Sequence, residues 1–332
     1  VKWSSYRITK LLCQGLIFVL RNEVRQIGGS NFALCPPLRI SAMPRRIKLT
    51  LEYDGTDFFG WQTQDRPKEG KDARHSVRTV QGELERALNK LTGVSIRVVG
   101  AGRTDEGVHA LGQVASFTLP DATGLITEQL TLALNAHLPA DMSVTQAEDA
   151  PEDFNAMGSA CGKLYRYLLF NRRQRSAVRL RTHWHVRFPL DTDAMHAAAQ
   201  HFVGRHDFTA LAVALAETQS KRVLAGKRAL ETVRTIVRAE VRACGSFDSA
   251  EGNEIAFEVE GEGFMYKMVR GMVGSLVEVG RRRQAPGWIA EMLASKDRRN
   301  AGPSAPSKGL YLMRVMYGPK RRTTHLWVGN SF

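Results

Sequence analysis

The sequence predicts an α+β protein whose antiparallel or mixed sheets are flanked by helices. Two observations carry this reading. Segments with period-2 hydrophobic alternation are interleaved with segments of helical period in both halves of the chain. Residues 231–243 and 255–259 then read as a hairpin, a connection that a doubly wound parallel sheet does not use. No repeat relates the two halves at the level of sequence.

Taken in order, Ile47, Leu49, Leu51 and Tyr53 alternate with Lys48, Thr50 and Glu52, as in a strand with one wet face. Residues 64–78 are polar and poor in apolar side chains, which suits a surface loop. Val80, Leu84, Ala87, Leu88 and Leu91 form one face of a helix that Gly93 stops. Residues 95–99 and 113–119 are strand-like, and 125–138 have helical spacing up to Pro139. A second round starts near Phe154. Residues 163–170 read as a strand, followed by a basic stretch at 172–181. Met195, Ala198, Ala199 and Phe202 mark an amphipathic helix closed by Gly204, and 213–230 read as a loop or frayed helix. Strand parity puts Arg234, Arg238 and Arg242 on one face of 231–243. Residues 264–279 are nearly all apolar and helical, with Lys267 and Arg270 among them. A short helix over 286–293 begins at Pro286, and 310–317 form the last strand before a basic tail, Lys320-Arg321-Arg322.

At 332 residues the chain is expected to hold two domains, 43–153 and 154–318, with a tail over 319–332. Its composition, 43% hydrophobic and 24% charged, supports a real core and excludes disorder over most of the length. Lys and Arg outnumber Asp and Glu by 47 to 33, a net +14, which favours a polyanionic partner, nucleic acid first. Residues 1–42 differ from the rest. Their only continuous apolar run, Leu11 to Leu20, is too short to span a bilayer and lacks a small-residue cleavage site after it. The first methionine is Met43, so 1–42 are expected to be a disordered tail or not translated. The body that remains still carries +9. Cys13, Cys35, Cys161 and Cys244 form no CxxC pair, which argues against disulfides and zinc ribbons and for a cytoplasmic location. His183 and His185 are an HxH pair that a strand edge explains without a metal.

The candidate chemistry sits in Gly100-Ala101-Gly102-Arg103-Thr104-Asp105-Glu106-Gly107. This loop is neither GxGxxG nor a Walker loop, and its acids would repel a phosphate. It offers Asp105 instead, between glycines and two residues from Arg103, whose charge would lower the carboxyl pKa. A permanently ionised aspartate suits nucleophilic or electrostatic catalysis at a sugar carbon, although Asp in such a loop is usually a turn former. Tyr165 and Tyr167 share a strand face, flanked by Lys163 and Arg166, a pattern that stacks an unpaired base and holds its phosphates, or that simply packs across strands. Lys267 and Arg270, inside an apolar helix, call for an acidic partner or for escape to the surface.

The segment Gly102-Arg103-Thr104-Asp105-Glu106-Gly107-Val108-His109-Ala110 resembles the GRTDxGVHA signature of the tRNA pseudouridine synthase A (TruA) family. Further segments resemble the same family in order: Tyr53-Asp54-Gly55-Thr56, Phe59-Gly60-Trp61-Gln62, Arg78-Thr79-Val80-Gln81-Gly82, Leu164-Tyr165-Arg166-Tyr167 and His206-Asp207-Phe208. Met268-Val269-Arg270 with Val273-Gly274-Ser275-Leu276, and Ala305-Pro306-Ser307-Lys308-Gly309-Leu310-Tyr311, complete the set. The resemblance implies a two-lobed pseudouridine synthase fold with the active-site cleft between the lobes. It implies isomerisation of uridine to pseudouridine at positions 38 to 40 of the tRNA anticodon stem-loop, by a homodimer needing neither metal nor organic cofactor. By position it implies that Asp105 is the catalytic nucleophile, that Tyr165 packs on the target base, that Arg270 pairs with Asp105, and that Arg103 helps displace the base. The chain departs from the family at Phe154-Asn155-Ala156-Met157, where FxAR is common, and in longer loops at 64–78 and 213–230.

Two other readings compete. A basic RNA-binding module would use Asp105 only as a turn residue. A hydrolase would pair Asp105 with Glu106 or Asp54, usually around a metal.

Overall fold

The computed structural model describes residues 44–63, 65–66, 75–120, 125–213, 219–220, 224, 229, 231–246 and 249–318. The segment 1–42, the tail 319–332 and most of the loops 64–78 and 213–230 lie outside the described residues.

The first strand, β1 (Arg45–Tyr53), alternates as its sequence dictates, with Ile47, Leu49, Leu51 and Tyr53 buried. Helix α1 (Val80–Thr92) is bounded by two local signals. The Thr79 hydroxyl accepts the Gly82 N–H at its start, and Gly93 adopts the left-handed conformation at its end. Next come β2 (His109–Leu119), α2 (Thr127–Asn135) and β3 (Met142–Ala150). The second half supplies β4 (Ala160–Asn171), α3 (Thr192–Gln200), β5 (Gly204–Asp207), and the hairpin of β6 (Val233–Ser246) with β7 (Ser249–Gly261). Helices α4 (Met268–Gly280) and α5 (Trp288–Ser295) follow, then β8 (Leu310–Tyr317).

Strands from both halves join one ten-stranded mixed sheet, in the order β3-β1-β2-β8-β4-β7-β6-β5, with Val99–Gly100 and Trp184–Val186 attached beside β2 and β4. The last described strand is therefore one of the sheet's two central ones. β8 runs parallel to β2 over two register pairs, Tyr311↔His109 and Leu312↔Ala110, and antiparallel to β4 along most of its length. The first residues of β2 thus meet the middle of β4 across β8, and that junction holds the site described below. A single buried cluster runs from β1 and α1 to α3, α4 and α5.

Three expectations need local correction. Only Val99–Gly100 of the expected strand 95–99 enters the sheet. The amide of Val98 donates to the Glu85 carboxylate at 3.1 Å and its carbonyl accepts from the Gln81 amide at 3.2 Å, so α1 side chains take the place of a partner strand. Helix α2 is shorter than 125–138. Helix α4 begins at Met268, because Lys267 sits in the left-handed region at φ 57°, and of the residues before it Phe264 meets the Tyr165 ring. Among the described residues, no helix is long and apolar enough to cross a membrane.

Candidate active site

The loop 102–108 leads into β2 and is held on every side by backbone contacts. Trp61 N–H donates to Thr104 O at 3.0 Å, Gly107 N–H to Phe58 O at 3.3 Å, and the Gln113 amide to Gly102 O at 2.8 Å. Tyr53 and Thr104 join their hydroxyls at 2.9 Å. Gly55 packs so closely that a Cβ on it would stand 2.0 Å from Val108 O. Within the loop, Gly107 turns the chain at φ 74°, a conformation that a side chain would resist. The motif around residues 53–61 is therefore a brace for the loop that carries Asp105.

His109 closes the loop. Its Nδ1 accepts the Gly55 N–H at 3.1 Å and also lies 3.1 Å from Asp54 Oδ1, while Nε2 faces the carbonyls of Arg181 at 3.0 Å and Lys308 at 3.1 Å. The imidazole also stacks on Tyr311, ring centres 4.6 Å apart. One side chain thereby joins the brace, the basic loop and the entry to β8. Sequence reasoning quoted the brace and His109 within motifs but gave neither a role, since both act through contacts between distant segments.

Asp105 and Arg270 meet, Nη1 to Oδ2 at 3.3 Å, both mostly shielded from water. Arg270 is itself fixed, since its Nε donates to Ala305 O at 2.6 Å and its carbonyl accepts the Ala305 N–H at 3.0 Å. The expectation that a neighbouring Arg lowers the Asp105 pKa is corrected here. Burial pushes the Asp105 carboxyl above its ordinary value, and the opposing pulls of Arg270 and then Lys267 do not fully offset it. Arg103, two residues away in sequence, is exposed and pairs with no carboxylate among the described residues.

Tyr165 lies on β4 between Val259 of β7 and Leu312 of β8, with Phe264 edge-on at 5.1 Å. Its ring is 8% exposed, and burial drives its hydroxyl pKa far up, so the phenol stays protonated. Tyr167, the other candidate for stacking, is fully buried and its hydroxyl donates to Pro306 O at 2.8 Å. It is a packing residue. Arg166 points to the opposite face and pairs with Glu258, whereas Lys163 shares the face of Tyr165.

Arg238 and Arg242 share a face as expected and turn to Glu258, at 3.3 and 3.1 Å, but the bulge between Ile236 and Arg238 reverses the alternation and leaves Arg234 on the face of buried Ile236, so the three do not line one face. Arg179 pairs with Glu254 at 2.6 Å, Arg282 with Asp191 at 3.1 Å and Arg283 with Glu278 at 3.2 Å. Each of these arginines thus has an acidic neighbour, although Arg166, Arg238 and Arg242 share the one carboxylate of Glu258 and the net positive charge is unchanged by such pairing. Met157, at the departure from FxAR, is exposed, while Ala156 beside it donates its N–H to the Ser116 hydroxyl at 3.0 Å. His183 and His185 bond Thr182 and the Arg172 carbonyl, respectively. Among the described residues no three His, Cys, Asp or Glu side chains converge as a metal site would require. Asp54 directs its carboxylate to the backbone and hydroxyl of Thr56, at 3.0 and 2.6 Å.

The site therefore holds a mostly shielded carboxylate, a guanidinium fixed beside it, a buried tyrosine whose hydroxyl is influenced by the Asp105 charge, and an exposed arginine two residues away in sequence. Comparison with known proteins bears on what this arrangement does. The family model described as tRNA pseudouridine synthase matches residues 50–157 and 198–318. A tRNA pseudouridine synthase A of Myxococcus xanthus is 42% identical over 283 residues, covering 85% of this chain and 96% of the relative. Proteins of the same name from Acetivibrio thermocellus, at 38% identity, and Halalkalibacterium halodurans, at 41%, cover 82% and 80% of this chain and 100% and 90% of their own lengths.

Proposed function

The chain belongs to the tRNA pseudouridine synthase family, and from that membership we propose that it isomerises uridine to pseudouridine at positions 38 to 40 of the tRNA anticodon stem-loop. The observation that supports the assignment of roles is the Asp105–Arg270 pair at 3.3 Å, in a loop braced from several sides, with the Asp105 charge felt at the Tyr165 hydroxyl. The reaction breaks the C1′–N1 bond, joins C1′ to C5, removes the C5 proton and protonates N1. It is redox-neutral and its atoms balance without a co-reactant.

In this reading Asp105 is the nucleophile, or the anion that stabilises the sugar, when the glycosidic bond opens. Arg270 holds the carboxylate in place and favours its charged form. Tyr165 packs on the uracil ring, and its high pKa suits a role through the ring rather than through a phenolate. Arg103 fills the gap in the stack as the base leaves it, which costs a few kcal/mol that phosphate contacts offset. tRNA is the partner. A homodimer follows from the family resemblance, and a cytoplasmic location from the cysteine pattern.

Asp105→Asn, close to isosteric, tests the catalytic role against that of a non-catalytic RNA-binding module. Pseudouridine formation is expected to disappear while tRNA affinity stays within a few-fold of wild type. Retained turnover would overturn the assignment of Asp105, and an unmodified tRNA product from both proteins would overturn the enzyme reading.

A further inference from the structure

Lys163 stands on the same face of β4 as Tyr165, two residues before it. A Cβ placed on Gly102 would come 3.2 Å from both Cε and Nζ of Lys163, so the ammonium end of the side chain lies against the first residue of the catalytic loop. The side chain is half-buried, and among the described residues it has no ion pair, hydrogen bond or ring contact. Its environment differs from that of five arginines around the sheet. Arg166, Arg179, Arg238, Arg242 and Arg270 each reach a carboxylate. Burial also lowers the Lys163 pKa, with no neighbouring charge acting against it. A desolvated ammonium without a counter-ion costs stability, and folds rarely keep one without use.

We propose that Lys163 is a substrate-binding residue whose counter-ion is a backbone phosphate of the RNA, next to the uridine being isomerised. The inference rests on the reading of the site given above. Lys carries three donors and no acceptor, so it recognises an anion and cannot read the mixed edge of uracil. Strand spacing separates it from Tyr165 by about 6.6 Å, close to the reach from a base to its own backbone. Arg103, next to Gly102 in sequence, is exposed and pairs with no carboxylate among the described residues, so a strand entering here meets two cations that no described acid matches.

The test uses the full chain with Lys163→Met and Lys163→Arg. It reads thermal stability, tRNA affinity over a salt series, and kcat/KM for pseudouridine formation. Lys163→Met is expected to melt no lower than wild type, since it removes an unmatched buried charge. Its kcat/KM should fall at least about ten-fold, and its slope of log affinity against log salt should be shallower by about 0.7 to 0.9, one phosphate contact. Lys163→Arg should restore most of the slope. A stem-loop RNA with a neutral methylphosphonate beside the target uridine provides a check that needs no variant. Wild type should lose affinity for it, and Lys163→Met should lose no more. An unchanged salt slope in Lys163→Met would overturn the proposal, whether or not the variant melts lower, and so would wild-type indifference to the neutral linkages flanking the target. A wild type that binds tRNA yet makes no pseudouridine would instead overturn the parent reading, while the salt slope still reports on Lys163.

Discussion

Gly55→Ala reaches the reaction without touching a reacting group. The new Cβ would stand 2.0 Å from Val108 O and 2.4 Å from Val108 C, both backbone atoms that cannot swing aside. Real Cβ atoms essentially never approach closer than 3.0 Å, so brace and loop must separate by at least about 1 Å. Val108 N–H donates to Asp105 O at 3.2 Å, and the displacement therefore passes into the residue that carries the carboxylate. A misplacement of about 1 Å costs on the order of a hundred-fold in rate, about 2.7 kcal/mol in the barrier. Overpacking costs a further 1–3 kcal/mol of stability, roughly, which a domain of this size survives. The assay is single-turnover pseudouridine formation at saturating tRNA, with a thermal melt on the same sample. Gly287→Ala is the control, because a Cβ there meets nothing within 4 Å, and it should leave the rate unchanged. A folded Gly55→Ala protein with the wild-type single-turnover rate would refute the claim that the 53–61 segment positions Asp105.

Three further outcomes are expected. Tyr165→Phe should keep most of the activity and Tyr165→Leu should lose more, since base–aromatic stacking is worth about 1–3 kcal/mol; equal losses at equal stability would assign the work to the hydroxyl. Because burial raises the Asp105 pKa, the acid limb of kcat should lie above the ordinary Asp value, and Arg270→Met, which removes the charge that favours the anion, should move it higher still; a limb that stays or falls contradicts the pairing. The same raised pKa works against stability as pH rises through it, so acid should not unfold the protein by way of Asp105. Finally, Arg238→Ala and Arg242→Ala should leave the salt dependence of tRNA binding unchanged, because both arginines are engaged by Glu258, whereas Arg103→Ala should flatten it; the reverse pattern would place RNA on the Glu258 face.

What was legible in the sequence was local. The alternation of residues 310–317 gives β8 with its observed ends, Thr79 and Gly93 bracket α1, and the β6–β7 hairpin follows from two alternating runs. The position of β8 between β2 and β4 was not legible, because a strand's periodicity carries no information about which neighbours it pairs with. The site shows the same division. Asp105, Arg270 and Tyr165 were reachable through motif resemblance, and the structure brings Asp105 and Arg270 to 3.3 Å. The direction of the Asp105 shift was not reachable, since burial depends on what closes over the loop. Parity grouped Arg238 and Arg242 correctly but could not show Glu258 facing them from β7. Tyr165 and Tyr167 are equivalent in sequence, and only packing against Pro306 and Trp184 separates the structural ring from the one at the site.

The central claim is tested most directly by mapping pseudouridines in unmodified tRNA after incubation with the purified full-length protein. The account predicts conversion of uridines at positions 38 to 40 in intact tRNA, with no uracil released and no strand cleaved, and its loss with Asp105→Ala. Release of free uracil, chain scission, or an unmodified anticodon stem-loop would contradict it.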